Sequence, residues 1–158
     1  MSRAKPIVLV VDDEWNSGLD ARGPLLEPLI GTDLDLRVVN YFTRPSFNLG
    51  EIGEAVTPKQ VEAMAPDLII LDLSLLPRSD GTKNPDRGVT ALAMLREFKS
   101  LRDTPVLVVS DCADDDRVRA NLLRLGVTQI FDWGKLRETE SLQSNFRERV
   151  AAAVRKSE

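Results

Sequence analysis

Histidine is absent from the 158 residues. That absence removes Ser-His-Asp and Cys-His nucleophilic machinery, together with every histidine-based zinc site. Cys112 is the single cysteine, so an internal disulfide is excluded and a reducing compartment fits. Long apolar runs are also missing. Ile7 to Val11 and Leu68 to Leu71 fall far short of the roughly 20 residues that span a bilayer, so no membrane helix is expected. The opening "MSRAKPIVLVVDDE" ends its apolar run in acid rather than at a small-residue cleavage site, which is unlike a signal peptide, and a cytoplasmic location is expected. Neither sign of charge dominates: 21 basic and 25 acidic residues give a net charge of −4, and the basic residues are scattered. Direct nucleic-acid binding is not indicated. The chemistry left to the chain uses carboxylates, hydroxyls, lysines or a hard metal ion.

Apolar residues make up 42% and charged residues 29%, the composition of a globular protein. The length suits one domain with a real core and is short for two, so a single domain over 1–158 is expected, with no separate output domain. "PIVLVVDDEW" sends five consecutive apolar side chains into a cluster of acids. Four more segments repeat the pattern: "LDLRVVNYF" (34–42), "DLIILDL" (67–73), "TPVLVVS" (104–110) and "TQIFDW" (128–133). Near-continuous apolar runs of this length predict strands covered on both faces, as in a parallel sheet.

Helical patterns separate them. "TPKQVEAMA" combines Thr57, Pro58 and Gln60 as a capping box with proline in the first turn, and stops before Pro66. Ala91, Met94, Leu95, Phe98 and Leu101 form one stripe of a third helix. "DDDRVRANLLRLG" sets acids at a helix start and glycine at its end. Leu142, Phe146, Val150 and Val154 recur at four-residue intervals in the last helix. Gly18, Gly23, Pro24 and Pro28 interrupt the first, which predicts a kinked or late start, and 43–56 reads as a long connection. Strand and helix alternating five times predict a doubly wound α/β sheet.

In such a sheet functional groups gather beyond the carboxyl ends of the strands. Asp12 and Asp13 follow the first strand, Asp72 ends the third, and Ser110 and Asp111 end the fourth. Taken singly, each is as well explained as a turn or a helix cap; Ser110, Asp111 and Asp114 could all cap the helix that follows. Their joint recurrence at three strand ends favours a shared cleft. Carboxylates meeting there repel unless a cation sits among them, and Mg²⁺ suits an all-oxygen site.

These residues resemble the response-regulator receiver domains of two-component signalling. The matching pieces are "VLVVDDE", "PDLIILDLSLLP", "TPVLVVS" and "LGVTQIFDWGKL", which together span nearly the whole chain. The resemblance implies a five-stranded parallel sheet in flavodoxin-like order 2-1-3-4-5, with helices on both faces. It implies that Asp72 is the phosphoacceptor, that Asp12, Asp13, Asp72 and the backbone carbonyl of Ser74 hold Mg²⁺, and that Ser110 is the switch hydroxyl. The implied donor is a histidine kinase or a histidine phosphotransfer protein, since this chain has no histidine of its own. The implied output is contact with an unknown downstream protein, and a homodimer is left open.

Three features depart from that pattern. The expected lysine at the end of the fifth strand falls on Trp133, with Lys135 two residues late; a bulge or shifted register would have to deliver it. The expected aromatic switch position falls on Ile130, beside Phe131. Residues 78–88 make a long loop after the acceptor, in which Asp80-Gly81 and Asp86-Arg87-Gly88 could each form a turn. Two alternatives follow from other function classes. One is a degenerate receiver that docks partners without being phosphorylated. The other is a Mg²⁺-dependent haloacid-dehalogenase-like phosphatase, which expects a second acid where this chain has Ser74.

Overall fold

The computed structural model describes residues 5–12, 15, 21–39, 41–42, 55–73, 86–111 and 113–155, with side chains left out at 41–42, 55–56 and 86–87. Side chains of a strand alternate between faces, so an apolar run such as Ile7–Val11 is stable only if both faces are covered. That is its situation here. Leu9 and Val11 lie in one core with Ile69, Leu71, Val106 and Val108, whereas Val8 and Val10 lie in the other with Leu68, Ile70, Leu107 and Val109. The strands are β1 (Ile7–Val11), β2 (Asp35–Val39), β3 (Leu68–Leu71), β4 (Val106–Ser110) and β5 (Gln129–Asp132). They form one parallel sheet in the order β2-β1-β3-β4-β5, as expected.

Helices cover both faces. Val61 of α2 (Pro58–Met64), Leu92 and Leu95 of α3 (Asp86–Arg96) and Val118 and Leu122 of α4 (Asp116–Arg124) complete the first core. Leu26 and Ile30 of α1 (Gly23–Ile30), with Phe146, Val150 and Val154 of α5 (Glu140–Arg155), complete the second. There the Phe131 and Phe146 rings meet edge to face, 5.5 Å between centroids.

Local chemistry sets the helix ends. In α2 the Gln60 N–H donates to Thr57 Oγ1 (3.2 Å) and the Thr57 N–H to Gln60 Oε1 (2.8 Å), the reciprocal box its sequence predicts. α1 starts late, at Gly23, with Pro24 in its first turn and Pro28 inside it. α4 is capped by Asp115, whose Oδ1 accepts from Val118 N–H at 3.0 Å, rather than by any of the three residues proposed from sequence.

Five further expectations change. Residues 34–42 do not form one strand: β2 ends at Val39, and Tyr41–Phe42 pair with Ala55–Val56 in a separate two-residue parallel ladder. The segment 43–56 therefore ends in a strand instead of being connection throughout. Phe98 and Leu101 lie beyond α3, Leu101 in a 3₁₀ turn, because Arg96 closes the helix. Its guanidinium donates to the carbonyls of Leu101 (2.6 Å), Thr104 (2.8 Å) and Leu125 (2.9 Å), tying the α3 exit to the end of α4. Asp86-Arg87-Gly88 is the first turn of α3, not a loop turn, and Trp133 opens the helical turn Trp133–Leu136 rather than extending β5. Residues 78–85 of the long loop lie outside the described residues.

Candidate functional site

Register brings the first two acids together. Val11 of β1 pairs with Leu71 of β3, and the Asp72 N–H donates to the Val11 carbonyl at 2.9 Å, so Asp12 and Asp72 leave adjacent strands at one level. Both are buried, 3% and 2% exposed. Asp72 Oδ1 accepts from the Leu73 N–H at 2.8 Å, which fixes the rotation of its carboxylate. The chain beyond it is pinned by Gly88: its N–H donates to the Leu73 carbonyl at 2.8 Å, and a Cβ there would stand 2.4 Å from Leu73 Cα.

The charge between these acids comes from a residue that sequence reasoning did not single out. Arg22, directly before α1 and 0% exposed, aims Nη1 at both carboxylates: 3.0 and 3.1 Å from Asp12 Oδ1 and Oδ2, and 3.0 Å from Asp72 Oδ2. Its Nη2 lies 3.6 Å from Oδ1 of Asp111, the residue after β4. A buried guanidinium is tolerated only when paired. Burial works against its charge, but Asp72 and Asp12 more than reverse that and raise its pKa above the ordinary arginine value. It is a permanent cation.

Two contacts hold it in place. The Gly23 N–H donates to the Trp15 carbonyl at 2.8 Å, and a Cβ on Gly23 would stand 2.7 Å from that oxygen, so the α1 entrance lies flat against Trp15. Trp15 Nε1 in turn donates to Glu27 Oε1 at 2.8 Å. On the far side the guanidinium carbon lies over the Trp133 ring, 5.6 Å from its centroid, a cation–π contact in a desolvated setting. Trp133 is buried, and its indole N–H meets no acceptor among the described residues.

Solved structures similar to this chain include response regulators. Across 96% of this chain and 98% of the other, the response regulator domain of Thermotoga maritima CheB is 18% identical with a TM-score of 0.58. The Mn²⁺-bound form of response regulator Rcp1 is 19% identical, with a TM-score of 0.54 over 94% of each chain. The phosphorylated cyanobacterial phytochrome response regulator RcpA is 18% identical, with a TM-score of 0.55 over 94% of this chain and 91% of that one. The chain has the receiver-domain fold. No family model and no curated protein matches its sequence.

Within the receiver fold the residues expected at the site separate into three groups. Asp12 and Asp72 are brought together, and Ser110 ends β4, fully buried, two residues past the level of Leu71. Asp13 and Ser74 lie outside the described residues. Lys135 is exposed on the helical turn after β5, its backbone N–H donating to Asp132 Oδ1 at 3.1 Å; Trp133 and Arg22 fill the interior instead. Ile130 is a partly buried member of the first core. No helix among the described residues is long and apolar enough to cross a membrane.

The receiver fold raises the question of a divalent ion. Magnesium demands oxygen at about 2.0–2.1 Å in near-octahedral array. Here the two described carboxylates converge on a nitrogen 3.0 Å away, and among the described residues no three acids are grouped to hold a metal. A divalent ion does not fit between Asp12 and Asp72 while Arg22 is there.

Arg22 left one trace in the sequence. It is the only basic residue between Lys5 and Arg37, in the segment joining the acidic pair to the first helix.

Proposed function

We propose that the chain is a phosphoacceptor receiver of two-component signalling, in which Asp72 accepts a phosphoryl group from the phosphohistidine of a kinase or phosphotransfer protein. The observation that carries this reading is the pairing of Asp72 Oδ2 with a buried guanidinium at 3.0 Å, at the carboxyl edge of the central strand. A carboxylate needs no general base to attack phosphorus. A new bond forms between an Asp72 oxygen and phosphorus, the phosphorus–nitrogen bond breaks, and its electron pair stays on the departing imidazole. The product is an acyl phosphate, and the positive charge beside it offsets the added anion. Ser110, at the end of β4, is the hydroxyl that would turn toward the phosphoryl group and carry the change into the neighbouring loop. The surface at that edge is then read by a downstream protein. Magnesium held by Asp12, Asp13, Asp72 and the Ser74 carbonyl belongs to this reading only if Arg22 first withdraws.

The test is labelling with acetyl phosphate or phosphoramidate, followed by intact mass. Wild type is expected to gain one phosphoryl group and Asp72→Asn none. A wild type that takes up nothing overturns the reading. That outcome would favour the docking module that works without phosphorylation, which the closed Asp12–Arg22–Asp72 bridge also supports.

A further inference from the structure

Two positive charges were expected beside Asp72: a divalent ion shared with Asp12 and Asp13, and a lysine side chain from the end of β5. In this structure a guanidinium lies between the carboxylates that such an ion would join. Trp133 occupies the lysine position, and Lys135 is exposed. Arg22 reaches across from the start of α1 and meets the demands of both.

Its geometry accounts for this double role. Nη1 touches both oxygens of Asp12 and one of Asp72, which is where an ion bridging the two carboxylates would have to sit. A metal bonded to those oxygens would lie closer to Nη1 than two cations tolerate, so the guanidinium and a divalent ion exclude each other there. The flat face of Trp133 provides the platform on which the guanidinium lies, and Asp111 draws Nη2 toward the end of β4. Anchored by Gly23 against the Trp15 backbone, the arginine is part of the scaffold.

We propose that Arg22 is the resident cation of the acceptor site, standing in place of both the divalent metal ion and the lysine. This rests on the receiver reading given above. Guanidinium differs from either replaced cation in offering several N–H donors in one plane, which suits it to hold two oxygens of a phosphoryl group at once. Receipt of phosphate at Asp72 then proceeds without added metal, and Arg22 trades its contact with Asp72 Oδ2 for contacts to the new phosphoryl oxygens.

Metal titration followed by calorimetry and tryptophan fluorescence tests this, since Trp133 borders the site and Trp15 its entrance. Wild type is expected to show no saturable Mn²⁺ or Mg²⁺ binding at concentrations on the order of tenfold above those that saturate Arg22→Met. Equal behaviour of the two proteins, whether both bind or neither does, overturns the proposal. Should Arg22→Met fail to fold, wild-type labelling by acetyl phosphate in EDTA and in Mg²⁺ decides. Equal labelling supports a resident cation, and labelling lost in EDTA overturns it. No labelling in either condition overturns the phosphoacceptor reading, and saturable metal binding by wild type then remains the result that rejects Arg22's role.

Discussion

Arg22 shows how one buried charge can depend on several distant residues. Two nearly inaccessible carboxylates share its Nη1, so removing the guanidinium takes away the positive charge that both contact. Arg22→Met is therefore expected to destabilise the fold by about 3–5 kcal/mol in urea denaturation, the range for breaking a buried ion pair from one side. Asp72→Asn, which leaves Asp12 to pair with the arginine, is expected to cost clearly less. A near-zero change for Arg22→Met would mean that the bridge adds nothing to stability. Because the arginine pKa is raised by folding, its contribution is complete at every pH below the ordinary arginine value and is lost only above it. Asp12, Asp72 and Ser110 were legible as residues ending apolar strands. Arg22 was not, because nothing in local spacing tells that the segment before α1 folds back over the strand ends. Lys135 drew attention by its nearness in sequence to the expected lysine, but Asp132 caps a helical turn there and that turn carries Lys135 to the surface.

At the scale of elements, covered strands and capped helices announce themselves. The apolar runs of β1, β3 and β4 became strands buried at almost every residue, which leaves no polar alternation to misread, whereas β2 and β5 at the sheet edges are only partly buried. The reciprocal Thr57–Gln60 box marked the start of α2 to the residue. The ladder of Tyr41–Phe42 with Ala55–Val56 had no comparable signal, since two residues are too few to show a period. The end of α3 was hidden for a different reason: the apolar stripe continues through Phe98 and Leu101, while tertiary hydrogen bonds from Arg96 stop the helix. Those bonds collect carbonyls from the 3₁₀ turn, from Thr104 and from the α4 exit. Arg96→Ala strands them, and a loss of about 2 kcal/mol or more is expected from hydrogen bonds made by a charged donor. Thermal denaturation, read beside faster amide exchange in 97–104, would check it; unchanged exchange there would show that the turn holds without the arginine.

For the molecule as a whole, strand order places the chemistry. Because β1 and β3 are neighbours at the centre of the sheet, acids that follow them meet at one edge, although 60 residues separate them in the chain. Two cores, one under α2 to α4 and one under α1 and α5, hold that edge from either side. The second core carries Trp15, Leu26 of α1 and the Trp133 platform, while Leu71 and Leu73 on either side of Asp72 belong to the first. This arrangement was legible as a receiver-type sheet with an acidic rim; that the rim closes on an internal guanidinium was not. The most direct measurement is a crystal structure grown with Mn²⁺ and recorded at a wavelength where manganese scatters anomalously. The expected result is Arg22 Nη1 within hydrogen-bond distance of both Asp12 and Asp72, with no anomalous peak between them. A manganese ion bound by those two carboxylates, with Arg22 turned away, would contradict it.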